Sequence, residues 1–368
     1  MQSEKKKILW QTHEAIISGA NIAMLEYIDA LANTFQFFVI LPHQGTMQRA
    51  LEQRNIAYTI IHQYGWTNVY PRWRIGKWMK VLLRSIAAVW QTKQLLKKEN
   101  PSVVCTNTLV PFTASIAAKW QTVPHVWWIH EFGKEDFGFT AGWGYEKTSS
   151  RWMQRSTKLI IGNSKAISTK FAKLMPQANI VTIYQPVSWL AAAVTKTTKQ
   201  ARFLMFGQLV ASKGHKEVLA AMLANKQAGK PLHTLHIKGP SEIKSYLEEL
   251  QLFVEQNNLQ QYVQIEAGYF KKETIMPQYE VLIVASQAEA FGRVIVEANK
   301  AGLRVLVRNS GGAPELINES NGLLFASQSE LAAALCDERT FPDTSIRSNY
   351  NEAAELQTLI ELLTTICR

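Results

Sequence analysis

The stretch of sequence that decides the fold runs from residue 281 to residue 315 and reads VLIVASQAEAFGRVIVEANKAGLRVLVRNSGGAPE. Its first six residues, 281–286, are an almost continuous apolar run of strand length, and residues 304–309 are a second candidate strand with an apolar centre, as expected of parallel strands covered on both faces. Between them, apolar positions at helical spacing predict an amphipathic helix. Strand, helix and strand in this order indicate a βαβ unit in a parallel sheet.

The same alternation of strand-like runs and helical patterns continues along both halves of the chain. The further candidate strands are residues 7–10, 37–42, 102–107, 125–130 and 159–164, then 203–207, 235–239 and 263–268. Two such series predict an α/β protein with two Rossmann-like, doubly wound domains, covering residues 1–187 and 188–349. Residues 184–202, with a proline and a polar Thr/Lys stretch, are the predicted linker. Residues 350–368 predict a C-terminal helix that could close the second domain or cross back to the first.

Composition narrows the class of protein. With 368 residues, 47% of them hydrophobic and 19% charged, the chain has an ordinary globular composition and a natural length for two domains. The first residues lack the pattern of a secretory signal, so we expect a cytoplasmic protein. The 3 cysteines have no metal-ligand spacing, which favours reduced thiols and predicts no metal site.

The charge is unevenly distributed. Residues 1–190 contain 22 Lys and Arg against 10 Asp and Glu, whereas residues 191–368 contain 18 against 19, so the net charge of +11 comes from the first half, which also contains all 11 tryptophans. No helix-turn-helix, zinc-finger or RNP pattern favours nucleic acid. Residues 66–98 interleave Trp with Lys and Arg, a composition typical of a bilayer interface. We therefore expect reversible binding of this segment to an anionic membrane surface.

Ligands of doubly wound sheets bind at the carboxyl ends of the strands, so the loops there are candidate sites. In the first half, Gly19 opens a helix after the first strand, and His130 ends the strand at 125–130. In the second half, Lys213 precedes a helix, where its charge and the helix dipole would favour an anion. Glu289 and Glu297 stand eight residues apart, one before and one within the predicted helix, upstream of a Gly-Gly pair.

Taken together, these motifs resemble the retaining glycosyltransferases of family 4, which have the GT-B fold. The resemblance covers nearly the whole chain: the Gly19 loop, HVWWIHEFG at 125–133, IIGNSKAI at 160–167, IYQPV at 183–187, the glycine turn at 207–214, the E-x7-E segment and VLVRNSGGAPELI at 305–317. It implies a donor domain at the C-terminal side, which holds a UDP-sugar or GDP-sugar substrate, and an acceptor domain at the N-terminal side. No cofactor or metal is implied.

Within the donor domain, the resemblance assigns roles residue by residue. Glu297 corresponds to the glutamate at the ribose hydroxyls, and Glu289 to the one at the donor-sugar hydroxyls. Phe291 and Gly292 would lend backbone amides to the sugar, and Lys213 would neutralise the leaving diphosphate by electrostatic stabilisation.

The remaining assignments concern the phosphate and the acceptor side. His130 resembles a histidine that lines the donor-sugar pocket, and Gly19 the glycine of a loop that approaches the phosphate. Gly207 begins the phosphate-binding turn. Gln208 stands where many members have an arginine, so a neighbour such as Arg293 would supply the second positive charge.

The resemblance implies a hexosyltransferase that acts with retention, without a protein nucleophile, on a saccharide or a polyprenyl-diphosphate-linked acceptor in bacterial envelope or exopolysaccharide synthesis. Two alternatives share the scaffold. One is a nucleotide-sugar 2-epimerase, and the other is a non-catalytic partner in a glycosyltransferase complex.

Overall fold

Two parallel sheets organise the protein. The computed structural model describes residues 5–66, 75–139, 145–189, 200–336, 346–347 and 349–367. Within these residues the strands form a seven-stranded sheet, in the order β3-β2-β1-β4-β5-β6-β7, and a six-stranded sheet, in the order β10-β9-β8-β11-β12-β13. The chain divides into two compact units, the first containing Met1–Pro186 and Asn351–Arg368 and the second Val187–Tyr350.

The first unit is built around the seven-stranded sheet. Its strands are β1 Lys6–Gln11, β2 Phe35–Leu41, β3 Ala57–Ile60, β4 Val103–Asn107, β5 His125–Ile129, β6 Leu159–Gly162 and β7 Ile180–Thr182. Its helices are α1 Gly19–Leu31, α2 Thr46–Glu52, α3 Ile75–Glu99, α4 Thr113–Trp120, α5 Lys134–Phe137, α6 Tyr145–Ser156, α7 Lys165–Leu174 and α13 Glu352–Ile366.

Apolar side chains cover both faces of this sheet, which explains why its central strands have continuous apolar sequences. On β1, Ile8 and Trp10 pack into one cluster with α1, whereas Leu9 packs into a second cluster with α3 and α4. Trp10 stacks on Trp128 of β5, with ring centroids 5.1 Å apart. Alternate residues of one strand thus belong to different cores.

The second unit is built around the six-stranded sheet. Its strands are β8 Ala201–Phe206, β9 Leu235–Gly239, β10 Val263–Ala267, β11 Tyr279–Val284, β12 Arg304–Arg308 and β13 Gly322–Phe325. Its helices are α8 His215–Gln227, α9 Lys244–Gln256, α10 Lys272–Ile275, α11 Arg293–Lys300 and α12 Gln328–Cys336, with 3-10 turns at Ala211–Lys213, Met276–Gln278 and Ala313–Leu316. One buried cluster includes residues from strands β8 to β13 together with α8, α9 and α12.

The structure confirms all ten predicted strands, with ends displaced by at most two residues. Three further strands, β3, β7 and β13, were not predicted. They lie at or next to the sheet edges, and their sequences are only three or four residues long. Of the predicted linker, residues 190–199 lie outside the described residues, and Ala201 and Arg202 already belong to β8.

The C-terminal helix α13 belongs to the first unit. Leu359, Leu363 and Cys367 are buried in the same cluster as β1 and α1, and the carboxylate of Glu355 accepts a hydrogen bond from the backbone N–H of Tyr184 at 3.0 Å. None of the helices in the described parts of the chain has both the length and the apolar character that crossing a bilayer requires.

Candidate functional site

The second unit has its candidate site at the point where the order of the strands reverses. Strands β8 and β11 are neighbours in the sheet, and the chain leaves them toward opposite edges. In doubly wound sheets this switch point opens a crevice for ligands. Lys213 follows β8 and Glu289 follows β11, and the ammonium Nζ of Lys213 lies 2.9 Å from Oε2 of Glu289. Two residues 76 positions apart in sequence are therefore brought into contact.

Close backbone packing fixes the turn that carries Lys213. Gly214 follows it with φ +74°, and a Cβ there would lie 2.2 Å from the carbonyl oxygen of Ala285, just beyond β11. The N–H of Gln287 donates to the carbonyl of Ser212 at 3.0 Å. As predicted, the turn ends at the start of a helix, α8. The loops after β8 and β11 are thus held against each other.

The predicted Ser-Gly-Gly motif after β12 supports the Glu289 loop. The N–H of Gly312 donates to the carbonyl of Glu289 at 2.7 Å, and Oγ of Ser310 donates to the carbonyl of Ser286 at 3.2 Å. Gly311 adopts φ +65° and lies so close to Glu289 that a Cβ would meet its carbonyl oxygen at 2.3 Å. The motif therefore positions the glutamate through backbone contacts.

Glu297 lies in the middle of α11 and is only 8% exposed. The sequence predicted it within a helix, and the structure places it among the buried residues of that helix. Its Oε1 forms an ion pair with Lys272 of α10 and lies 3.6 Å from a guanidinium nitrogen of Arg293. Lys272 was missed because nothing in the sequence indicates which carboxylate a lysine at the start of a short helix will reach.

The other predicted residues of the second unit lie close to Lys213 and Glu289. Gly207, Gln208, Lys213 and Glu289 line one cavity at the end of β8 and β11. Phe291 is buried, and its neighbour Gly292 caps α11 with φ +97°. The structure thus brings these residues together around the loops after β8 and β11.

His215 also lines this cavity, although no motif in the sequence indicated it. Burial, together with the positive charge of Lys213, lowers the pKa of His215 to about 4. The imidazole is therefore neutral at physiological pH, and it does not add to the positive charge of Lys213 in this cavity.

In the first unit, His130 and the start of α1 meet at the corresponding switch point, between β1 and β4. Nε2 of His130 lies 2.8 Å from Oδ1 of Asn107, at the end of β4. Because Nδ2 of Asn107 donates to the carbonyl of Ala20 at 3.3 Å, its Oδ1 is the acceptor, and Nε2 of His130 is the donor. Asn107 links the histidine to the helix that begins at Gly19, a connection that spacing alone does not predict.

A buried carboxylate stabilises the loops at the carboxyl ends of β4 and β5. Glu131 is 4% exposed and accepts hydrogen bonds from the N–H groups of Leu109 at 2.6 Å and His130 at 3.0 Å. Burial raises the pKa of Glu131 to about 7, although both hydrogen bonds favour its charged form. Glu131 therefore joins the loops after β4 and β5 and holds His130 in place.

Comparisons with known proteins show the family and the fold. The family model described as glycosyl transferases group 1 matches residues 190–355, and the model described as glycosyltransferase family 4 matches residues 17–188. No protein with a curated function gives a significant sequence match.

Several solved structures share the fold. HepE from Anabaena, in complex with UDP-glucose, superposes with a TM-score of 0.75 at 21% identity, covering 98% of this chain and 100% of that one. A glycosyltransferase from Rickettsia africae has a TM-score of 0.72 at 17% identity, with 99% of each chain covered. The lipopolysaccharide outer core galactosyltransferase WaaB has a TM-score of 0.68 at 15% identity, with 98% of each covered.

The two Rossmann-like units and the shared structures define the fold as GT-B, and the two family models define the class of protein as a glycosyltransferase. Because the two family models together span nearly the entire chain, the chain belongs to the group 1 glycosyltransferases of family 4.

Proposed function

We propose that this enzyme moves a hexose, with retention of its anomeric configuration, from a UDP-sugar or GDP-sugar to a saccharide or a polyprenyl-diphosphate-linked acceptor. The observation that carries the proposal is the 2.9 Å contact between Lys213 and Glu289 at the switch point of the second unit. This contact places a cation that can bind a diphosphate beside a carboxylate that can accept hydrogen bonds from sugar hydroxyls. The shared fold with HepE, solved with UDP-glucose, favours UDP as the nucleotide.

Each donor-binding role follows from charge and position. The side chain of Lys213 is 39% exposed, so its ammonium group is accessible to a leaving diphosphate. Glu289 accepts hydrogen bonds from the donor sugar, and Glu297 accepts them from the ribose. Phe291 and Gly292, just before α11, contribute backbone N–H groups at the positive end of that helix.

The other predicted residues complete the proposed site. Gly207 and Gln208 form the turn beneath the diphosphate, and Arg293 supplies positive charge where Gln208 has none. In the first unit, His130 is the proposed contact for the donor sugar, and the loop at Gly19 is the proposed contact for the phosphate. The acceptor hydroxyl attacks the anomeric carbon as the sugar–phosphate bond breaks on the same face, and its proton passes to the leaving phosphate oxygen.

A thermal-shift panel of nucleotides and nucleotide-sugars tests the donor first. A ligand at a hundred times its Kd stabilises the folded state by about 2.7 kcal/mol, a shift that is easily measured. The matching UDP-sugar or GDP-sugar, incubated with a saccharide or lipid-linked acceptor, should then yield an α-linked product from an α-linked donor. A β-linked product would overturn retention. Conversion of UDP-GlcNAc without any acceptor would identify a 2-epimerase instead.

We also propose that the enzyme binds the cytoplasmic face of a membrane, where bacterial polyprenyl-linked acceptors for envelope or exopolysaccharide synthesis are found. Residues 67–74 of the predicted basic segment lie outside the described residues, but α3 is described from Ile75. Large apolar side chains form an exposed stripe along α3, each 52–61% exposed: Met79, Leu82, Leu83, Ile86 and Trp90. At about 100° per residue, these five positions fall within one narrow arc of the helix.

The charges beside this stripe favour an anionic lipid surface as its partner. Lys80, Arg84 and Lys98 lie along one flank of the stripe, and no acidic residue occurs from 75 to 98. On the other flank of the stripe, α3 is buried with α4 through Ala88, Val89 and Leu96. An apolar face with a basic border is the pattern of a helix that lies in the plane of a bilayer interface.

Co-sedimentation with anionic vesicles at low and high salt tests this proposal. Changing Leu83 and Ile86 to Ser should abolish binding, and changing Lys80 and Arg84 to Glu should remove its salt sensitivity together with most of the affinity. Leu252, which is 51% exposed on α9, offers a matched control, since Leu252→Ser removes an exposed leucine from the other unit. If the α3 variants bind as well as Leu252→Ser, α3 is not the membrane contact.

A further inference from the structure

The carboxylate of Glu297 is held from one side only. Both of its cationic neighbours, Lys272 and Arg293, contact the same oxygen, Oε1. Across the described part of the chain, Oε2 of Glu297 accepts no hydrogen bond. The anchored oxygen fixes the orientation of the group, and the other oxygen remains available as an acceptor.

The two cations do not contribute equally. The nitrogen of Arg293 is 3.6 Å from Oε1, which is too long for a hydrogen bond, whereas Lys272 donates one directly. Lys272 reaches Glu297 from α10, a different element of the second unit, and its side chain is 23% exposed against 10% for the glutamate. A buried carboxylate is costly without a partner, so the direct bond from Lys272 offsets its desolvation and fixes the direction of the group.

We propose that Lys272 is a positioning residue for nucleoside recognition: it anchors Oε1 of Glu297 so that Oε2 meets the ribose hydroxyls of the donor. This inference rests on the proposed role of Glu297 in donor binding. Because the desolvation of the carboxylate is already offset in the free enzyme, the ribose meets a pre-organised acceptor. Lys272 acts through the glutamate and does not touch the diphosphate, which is the part assigned to Lys213.

Calorimetric titration of UDP and of uridine into Lys272→Met distinguishes these two roles. If Lys272 acts through Glu297, the variant should lose affinity for both ligands by the same factor, roughly tenfold to a hundredfold, the range for a hydrogen bond to a charged group. Lys272→Arg should restore most of the affinity. The adjacent Lys271, which is exposed, supplies the control, and Lys271→Met should bind both ligands as the wild type does.

A loss confined to UDP would show that Lys272 contacts phosphate, and unchanged binding of both ligands would show that it has no role; either result overturns the inference.

A second comparison removes the concern that Lys272→Met simply unfolds. In a Glu297→Gln background no buried carboxylate is left unpaired, and the double variant should bind no more weakly than Glu297→Gln alone. Additive losses would overturn the inference. Wild-type protein that binds neither UDP nor GDP would instead refute the donor site itself.

Discussion

Substituting Gly311 by alanine should damage the donor site through the backbone of Glu289. The added Cβ would lie 2.3 Å from the carbonyl oxygen of Glu289 and 3.0 Å from its nitrogen. Alanine at φ +65° costs about 1–2 kcal/mol from the left-handed conformation alone. Relief of the overlap should cost about 1–3 kcal/mol more, because it requires the Glu289 loop to move.

Gly302 provides a control that separates these two costs. It also has a positive φ, +84°, but no described atom lies within 4 Å of the position of its Cβ. Gly302→Ala should therefore lose only the first 1–2 kcal/mol or so of stability. The two glycines belong to the same unit, so urea unfolding curves of the two variants can be compared directly.

Activity should separate the variants more strongly than stability. Displacing a substrate-contacting carboxylate by about 1 Å can reduce turnover about a hundredfold, so Gly311→Ala should lose most of its kcat. Gly302→Ala should keep wild-type kcat and KM in the same transfer assay. If Gly311→Ala were as stable and as active as Gly302→Ala, the contact between the Ser-Gly-Gly motif and Glu289 would not position the site.

Two further predictions use charge. Lys213→Ala should weaken binding of UDP far more than binding of uridine, and equal losses for the two ligands would contradict a phosphate contact. Glu289→Gln should keep much of the affinity for UDP while losing turnover. Burial raises the pKa of Glu131 to about 7 in the folded state, so this group binds protons more tightly when folded. It should therefore lower stability by about 3 kcal/mol as pH rises from about 4.5 to 7. Glu131→Gln should remove that decline in urea unfolding at pH 5, 6 and 7.

The fold was predictable because strands that are buried on both faces of a sheet contain apolar runs that are visible in the sequence. Strands β1 and β11 contain the continuous apolar runs 8–10 and 281–284, and α11, which follows β11, has a clear apolar stripe. Strands at the sheet edges are different, because they are short and less buried. On β3 and β7 most side chains are only partly buried, so no apolar run indicates them.

The candidate site was predictable where a backbone conformation or a family motif constrains it, as at Gly311 and Glu289. Contacts between side chains from distant loops were not. Lys272 pairs with Glu297 across 25 positions and Asn107 meets His130 across 23. A lysine or an asparagine occurs in many loops, and only the folded sheet determines which partner it meets.

The placement of α13 has a consequence for the synthesis of the chain. The first unit is translated first, yet residues 351–368 contribute Leu359, Leu363 and Cys367 to its core. Helix α13 must therefore emerge from the ribosome before this unit can complete its packing, whereas the second unit is contiguous and can fold earlier. Until α13 has been synthesised, the first unit exposes the apolar surface that this helix later covers. Chaperones that bind apolar surfaces can therefore bind the first unit for longer than the second.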